Sequence, residues 1–274
     1  MAEDLQRATL PRDSGRDVFG LDPAGYAAGR PGYPATLFEA LERQGALGPG
    51  TATVEVGPGT GQATGELLER GASPLVLVEP SAELGRHLRE RFGDRVVVRE
   101  ATFETAELPD ASFDLVAAAT SFHWVDTGPG LERAAAVLRE GGLFAAWWTI
   151  HHDPDAPHDP LYLALEPILD QLPRYDPGGG VSASGYATDL DARCAEIRAT
   201  GRFAEPAVQM FRWELPLDTA SARALFATFS PVLALTPVER TAILDQIADV
   251  VERRFGGSYA RTCVTVLYTA TRLR

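Results

Sequence analysis

Between residues 51 and 150 the chain alternates two kinds of apolar pattern. TATVEVG (51–57), PLVLVEP (74–80), RVVVREA (95–101), SFDLVAAAT (112–120) and GLFAAWWTI (142–150) are short and nearly continuous in apolar residues, and read as buried strands. GQATGELLERG (61–71), SAELGRHLRERFG (81–93) and GLERAAAVLREGG (130–142) carry their apolar residues at helical spacing. Ser81 is placed as an N-cap and Gly71 as a stop. Continuous apolar strands interleaved with helices predict a mostly parallel sheet covered on both faces. Trp147 and Trp148, adjacent in a strand, must point to opposite faces, and one of them is expected in the core.

Outside that core the pattern is more varied. Residues 1–17 are polar and predict a flexible tail. FGLDPAGYAAGRPGYP (19–34) predicts irregular chain with a short helix near Pro23–Ala28. Pro34 opens a helix in which Leu37, Phe38 and Leu41 share a face. After Ile150 a Pro/Asp/His-rich loop (151–160) leads to an amphipathic helix (161–175) interrupted by Pro167. A loop (176–192), a helix (192–203), a strand (207–217), two helices (219–230 and 236–257) and a last β-branched strand (261–274) complete the reading. Thr236 with Glu239 has the spacing of a capping box. The expected organisation is one domain over 18–274, with helical lid additions at about 151–205 and 219–257 that supply the acceptor contacts; their apolar residues, such as Leu161, Tyr162, Leu165 and Phe229, fit a small, partly hydrophobic acceptor and equally fit a lid packing on the core.

Composition narrows the partners. The chain has 274 residues, 45% hydrophobic and 23% charged, with a formal net charge of -13. Such an acidic surface is repelled by phosphate backbones, so nucleic acid and anionic membranes are not the expected partners. The N-terminal sequence lacks the apolar core of a secretory signal, and no stretch approaches the ~18 apolar residues that span a bilayer. Cys194 and Cys263 form neither a CxxC nor a metal spacing. The expectation is a cytoplasmic protein with reduced thiols.

The chemistry lies in Val54-Glu55-Val56-Gly57-Pro58-Gly59-Thr60-Gly61, at a strand end leading into a helix. Glycines there permit a sharp turn and let a ligand approach the backbone. Open α/β sheets bind ligands at the carboxyl ends of their strands. Glu79, about twenty residues on at the end of the second strand, can accept hydrogen bonds from both hydroxyls of a ribose. A dinucleotide fingerprint, G-x-G-x-x-G, would place its third glycine at Gln62; the sequence has it one position early, at Gly61.

This run, VEVGPGTG, resembles the first motif of the class I S-adenosylmethionine-dependent methyltransferases (methyltransferase type 11-like). LVEPS (77–81), the segment 101–126 and LREGGLFAAWW (138–148) resemble the motifs that follow it. RPGYP (30–34) and SFHW (121–124) resemble a subgroup that includes trans-aconitate-type small-molecule methyltransferases. The resemblance implies a Rossmann-like α/β fold, a seven-stranded mostly parallel sheet with its last strand antiparallel. It implies S-adenosylmethionine as cofactor, S-adenosylhomocysteine as product and a small-molecule acceptor, with oxygen or sulfur preferred.

Carried over position by position, the resemblance places Gly57, Gly59 and Gly61 against the methionine moiety. Glu55 orients the loop or reaches the cofactor's amino group through water. Glu79 holds the ribose, Pro80 and Ser81 border the adenine, and Thr102, Phe103 and Glu104 line it. Many relatives have an aspartate where this chain has Thr102, whose hydroxyl bonds an amine less strongly. Thr120, Ser121 and Phe122 run beside the sulfonium. Tyr26, Arg30 and Tyr33 cover the cofactor, with Arg30 pairing its carboxylate.

His123 is the candidate catalytic residue, as a base for an acceptor hydroxyl or thiol, or else a positioning residue. His151, His152 and His158 with Asp153, Asp155 and Asp159 do not form a known ligand pattern, and no metal is expected. Two rival classes stand beside this one: a protein of this fold that binds the cofactor without methylating, and a nicotinamide-dependent oxidoreductase, which the glycine spacing disfavours. The oligomeric state is not encoded in any motif.

Overall fold

The computed structural model of the protein describes residues 23–151, 153, 155, 159–172 and 183–274. The expected tail (1–17), His152, His158 and part of the expected 176–192 loop lie outside them. Among the described residues, the first elements are α1 (Pro23–Gly29), α2 (Ala35–Arg43), β1 (Thr51–Val56), α3 (Gln62–Glu69), β2 (Ala72–Val78) and α4 (Ala82–Phe92). Then come β3 (Val97–Arg99), β4 (Phe113–Ala119), a 3-10 turn (Phe122–Trp124), α5 (Thr127–Val137) and β5 (Leu138–Ile150). The rest comprises α6 (Pro160–Leu169), α7 (Ala183–Thr188), α8 (Leu190–Ala199), β6 (Ala207–Asp218), α9 (Thr219–Ala227), α10 (Ser230–Leu233), α11 (Pro237–Phe255) and β7 (Ser258–Thr271).

The sheet has seven strands in the order β3-β2-β1-β4-β5-β7-β6. β1 pairs in parallel with β2 and β4, β2 with β3, and β4 with β5, whereas β7 runs antiparallel to β5. Consecutive strands run outward from β1 to β3, and the chain then returns to β4 on the other side of β1. That reversal puts a ligand crevice at the carboxyl ends of β1 and β4.

The chain divides into two compact units. A sheet unit comprises 32–150, 183–212 and 264–274, and a helical unit comprises 1–31, 151–182 and 213–263. In the sheet unit the pleat sends alternate residues into two cores. Leu75, Leu77, Leu115, Ala117, Leu143, Ala145 and Trp147 pack with Leu37, Phe38, Leu67 and Leu88 from α2, α3 and α4. Val54, Val56, Val116, Ala118, Phe144, Ala146 and Trp148 pack on the other face with Leu131, Ala134, Cys194 and Ile197 from α5 and α8. Both tryptophans are therefore core residues, 0% and 3% exposed, where only one was expected.

Two boundaries differ from the sequence reading. α5 ends at Val137 and β5 begins at Leu138, whereas the helical pattern runs on to Gly142. Leu138 continues the helix's apolar spacing, but it pairs with Phe113, and the register then jumps so that Leu115 meets Leu143. Gly141 at φ +76 and Gly142, where a Cβ would lie 3.1 Å from the Phe113 carbonyl oxygen, make that bulge possible. Residues 183–188, expected as loop, are helical, and Asp189 caps α8 by accepting from the Ala192 N–H at 3.2 Å.

The helical unit has its own core of Leu161, Leu165, Ile168, Leu225, Phe226, Ile243, Leu244, Ile247 and Val251. Leu161 and Leu165 take the packing role of the two expected for them and are buried in that core, while Tyr162 is 43% exposed. α1 lies so close to α9 that a Cβ on Gly29 would come within 2.3 Å of the Ala224 carbonyl oxygen. Thr236 and Glu239 form the expected capping box on α11. Asp159 caps α6 through the Leu161 N–H at 2.9 Å and accepts from Tyr259 Oη at 2.8 Å and Arg261 Nε at 2.9 Å. The Asp159–Arg261 pair is almost wholly buried. Among the described residues no group of histidine, cysteine, aspartate or glutamate is placed to hold a metal ion, and no helix is long and apolar enough to cross a membrane.

Candidate functional site

β1 delivers Glu55 and the glycine turn, and β2 delivers Glu79 immediately after its last residue. The Gly57 N–H donates to the Val78 carbonyl at 2.9 Å, continuing the β1–β2 ladder into the turn. Gly57, Gly59 and Gly61 have φ of +62, +59 and +84. Two of them are constrained further by close approach. A Cβ on Gly57 would lie 2.7 Å from Ser121 Cβ, and one on Gly61 would lie 2.5 Å from the Phe92 ring. Gly59 differs, because a Cβ there meets nothing within 4 Å. That open space above the turn has room for a ligand. Arg91 donates to the Thr60 carbonyl at 2.6 Å and braces the turn from α4.

Two buried carboxylates flank the turn. Glu79, 5% exposed, accepts from the Gly59 N–H at 3.1 Å and the Ser81 N–H at 3.0 Å, one bond to each oxygen. A carboxylate oxygen can accept more than one hydrogen bond, which suits a group that also takes hydroxyl donors. Glu55 is fully buried, and its Oε2 accepts from Thr64 Oγ1 at 2.6 Å. Its Oε1 is buried with no hydrogen-bond partner. Burial pushes the Glu55 pKa up to about 7; the Thr64 hydrogen bond lowers it and the neighbouring Glu79 charge adds to the rise. Like charges held together out of water favour a ligand that brings positive charge or hydroxyl protons.

β4 delivers the opposite wall. Thr120 adopts φ +55, a sparsely populated conformation for a residue with a side chain, of the kind that clusters at functional sites. Its N–H donates to the Trp147 carbonyl at 2.7 Å, and its hydroxyl is 3.0 Å from the Tyr33 hydroxyl. Tyr33 stands edge-on to Trp147 at 5.8 Å. The Ser121 hydroxyl donates to the Val56 carbonyl, tying β4 to β1 beside Gly57. His123 is 8% exposed, accepts from the Trp148 indole N–H at 3.0 Å, and has its ring 4.7 Å from that of Trp124, tilted by 41°.

The turn after β3 holds Thr102, Phe103 and Glu104. Thr102 is paired with Thr105 through their hydroxyls at 3.0 Å, and Glu104 accepts from the Asp126 N–H at 2.9 Å. Phe103 and Phe122 bury their rings in the sheet core, 2% and 3% exposed, so what they offer a ligand is backbone. Pro80 is exposed, and Ser81 caps α4 through the Leu84 N–H at 3.4 Å. Tyr26 and Arg30 belong to the helical unit. There Arg30 donates to Thr228 Oγ1 at 3.3 Å and lies over the Tyr26 and Phe229 rings at 5.9 and 5.6 Å, with no carboxylate partner among the described residues. Sequence reasoning missed Thr64, Arg91 and Trp148. Thr64 stands three residues past the last glycine on the face toward β1, a position its helical spacing marks; nothing in the sequence marks the other two.

The methyltransferase domain family matches residues 54–146, the span from β1 into β5. The structure is similar to that of a protein named as a type II methyltransferase from Anaeromyxobacter dehalogenans, which is 23% identical with a TM-score of 0.58 over 88% of this chain and 97% of that one. The fold is the Rossmann-like methyltransferase fold. A phosphoethanolamine N-methyltransferase 2 of Haemonchus contortus, solved with phosphomonomethylethanolamine and S-adenosylhomocysteine, gives a TM-score of 0.57 at 13% identity, over 97% of this chain and 61% of that one. Among curated proteins, an uncharacterised methyltransferase of Mycobacterium tuberculosis is 35% identical over 130 residues, 47% of this chain and 51% of its own length. One of Schizosaccharomyces pombe is 29% identical over 133 residues, 48% of this chain and 53% of its own. The chain thus spans about half the length of the curated relatives it matches.

Proposed function

We propose that the protein transfers a methyl group from S-adenosylmethionine to a small-molecule acceptor, at an oxygen or sulfur atom. The observation that carries this reading is the glycine turn between two buried carboxylates, with open space at Gly59 and an unpartnered oxygen on Glu55. The cofactor's chemistry fits those residues: its ribose offers two hydroxyl donors and its methionine end an ammonium. Structural neighbours of the same fold have been solved with S-adenosylmethionine or S-adenosylhomocysteine.

In this reading Glu79 accepts both ribose hydroxyls, and the backbone of Gly57, Gly59 and Gly61 borders the methionine moiety. Glu55, held by Thr64, compensates the ammonium across the turn. Pro80, Ser81, Thr102 and the backbone of Phe103 and Glu104 border the adenine. Thr120, Ser121 and Phe122 border the sulfonium, while Tyr33 pins Thr120. Bound there, the cofactor supplies an electrophilic methyl group with a good leaving group, so the protein's task is alignment and exclusion of water. The acidic surface favours a small molecule over nucleic acid as the acceptor. The protein acts in the cytoplasm.

The test is titration calorimetry with S-adenosylhomocysteine on the wild type and Glu79→Gln. Hydrogen bonds to a charged acceptor contribute roughly 1.5–3 kcal/mol each, so the variant is expected to bind at least ~10-fold more weakly. Unchanged affinity in the variant would remove Glu79 from the site.

A further inference from the structure

Glu55 lies on β1, inside the sheet unit, with its whole side chain out of water. Its neighbours across the sheet are apolar, Leu77 on β2 and Ala117 on β4. The helix over it, α3, gives it one hydroxyl, Thr64 Oγ1 at 2.6 Å from Oε2. Among the described residues Oε1 has no hydrogen-bond partner. A carboxylate buried for the sake of the fold is ordinarily given a cation or several N–H donors, as Asp159 is. Among the described residues Glu55 has neither.

The elements packed around it do not supply the missing cation. From the end of β2 comes Glu79, a second carboxylate, whose charge adds to the cost of ionising Glu55. On β4, Asp114 is engaged at the far end of the sheet, where it accepts from the Ala52 N–H at 2.8 Å. On α3, Glu66 pairs with Arg70 and Glu69 is exposed. On α2, Glu39, Glu42 and Arg43 are exposed. On α4, His87 is half-buried, and Arg91 is exposed and donates to the Thr60 carbonyl. Burial therefore dominates and pushes the carboxyl up to about 7, so that near neutrality Glu55 divides between its acid and its anion.

We propose that binding of the cofactor's ammonium drives a proton off Glu55 into water, so that the glycine turn couples cofactor affinity to pH and favours a ligand that is positively charged at its methionine end. This rests on the methyl-transfer reading above. The ammonium keeps its own protons. The Glu55 O–H bond breaks, its electron pair stays on the carboxylate, and the proton goes to solvent. A positive charge arriving beside a buried carboxyl favours the anion. The coupling is reciprocal: losing the proton strengthens binding by the same factor that binding favours the loss.

Titration calorimetry of the full chain with S-adenosylhomocysteine, in pairs of buffers that differ in ionisation enthalpy, counts the protons released. The wild type should release about half a proton per ligand at pH 7, more at pH 6 and less at pH 7.5. Its affinity should fall about 5-fold from pH 7 to pH 6. Glu55→Gln should release none and bind with an affinity that does not change over that range. S-(5′-Adenosyl)-4-thiobutyrate, which lacks only the amino group, should release none from the wild type. Release that persists in Glu55→Gln, equal release with the deaminated ligand, or binding of S-adenosylhomocysteine to the wild type without release overturns the proposal. The last of these would leave the cofactor reading standing, whereas no binding at any pH would remove both. The wild-type proton count stands even if the variant does not fold.

Discussion

Two buried carboxylates, one in each unit, show how a structural polar group differs from one prepared for a ligand. Asp159 in the helical unit is closed on itself: the Leu161 N–H, the Tyr259 hydroxyl and the Arg261 guanidinium occupy it, and Arg261 neutralises it. Glu55 in the sheet unit is open. One oxygen takes a single hydroxyl, the other takes none, and the nearest named charge is a second carboxylate, Glu79. A closed network holds a fold; an open one of a single sign is stable only if something of the opposite sign arrives. The contrast locates the ligand chemistry at the glycine turn rather than at the Asp/His-rich loop that the sequence also offered.

Arg261→Met breaks the contrast most violently. It leaves Asp159 buried without its counter-charge, and the expected loss is about 3–5 kcal/mol in urea unfolding. A loss under about 1 kcal/mol would mean that the pair is not the helical unit's electrostatic keystone.

Gly57→Ala comes next. The left-handed backbone conformation and the contact with Ser121 Cβ together should cost about 3 kcal/mol, whereas Gly59→Ala, with open space, should cost only about 1–2 kcal/mol. The two variants should nonetheless both weaken S-adenosylhomocysteine binding, because the methyl group at position 59 enters the ligand's space. Equal stabilities would show that Ser121 does not crowd the turn.

Glu55→Gln sharpens the comparison through pH. A carboxyl whose folded pKa is raised stabilises the fold fully below its unfolded value of 4.5 and loses that contribution as pH rises through about 7. The variant has no such titration. Its stability relative to wild type should therefore climb from near equality below pH 4.5 to an advantage of about 3 kcal/mol above pH 7. A flat difference across that window would mean that Glu55 is not buried as an acid. The smallest effect belongs to the helical unit: Thr236→Ala, which removes one capping box, should cost about 1 kcal/mol in thermal unfolding.

The sheet unit was readable because its signals are local. Apolar runs marked β1, β2, β4 and β5, and glycines marked the turn that needs positive φ. Glu79 stood at a recognisable distance from them. The helical unit's elements were readable too, down to the capping box at Thr236. What escaped are features set by tertiary pairing. The start of β5 was hidden because Leu138 satisfies a helix pattern while its glycines form a bulge against Phe113. Trp148 was seen as one of two strand residues, but its bond to His123 depends on β5 lying beside β4. Arg261 carried no signal, since its partner lies a hundred and two residues away.

The most direct test of the account is a thermal-shift titration of the wild-type chain with S-adenosylhomocysteine and, in parallel, NAD. Ligand that binds only the folded state raises the melting temperature, by an amount that grows with the logarithm of its concentration relative to Kd. The account predicts a concentration-dependent rise with S-adenosylhomocysteine and none with NAD. A rise with NAD alone would contradict it and return the glycine turn to the dinucleotide-binding proteins.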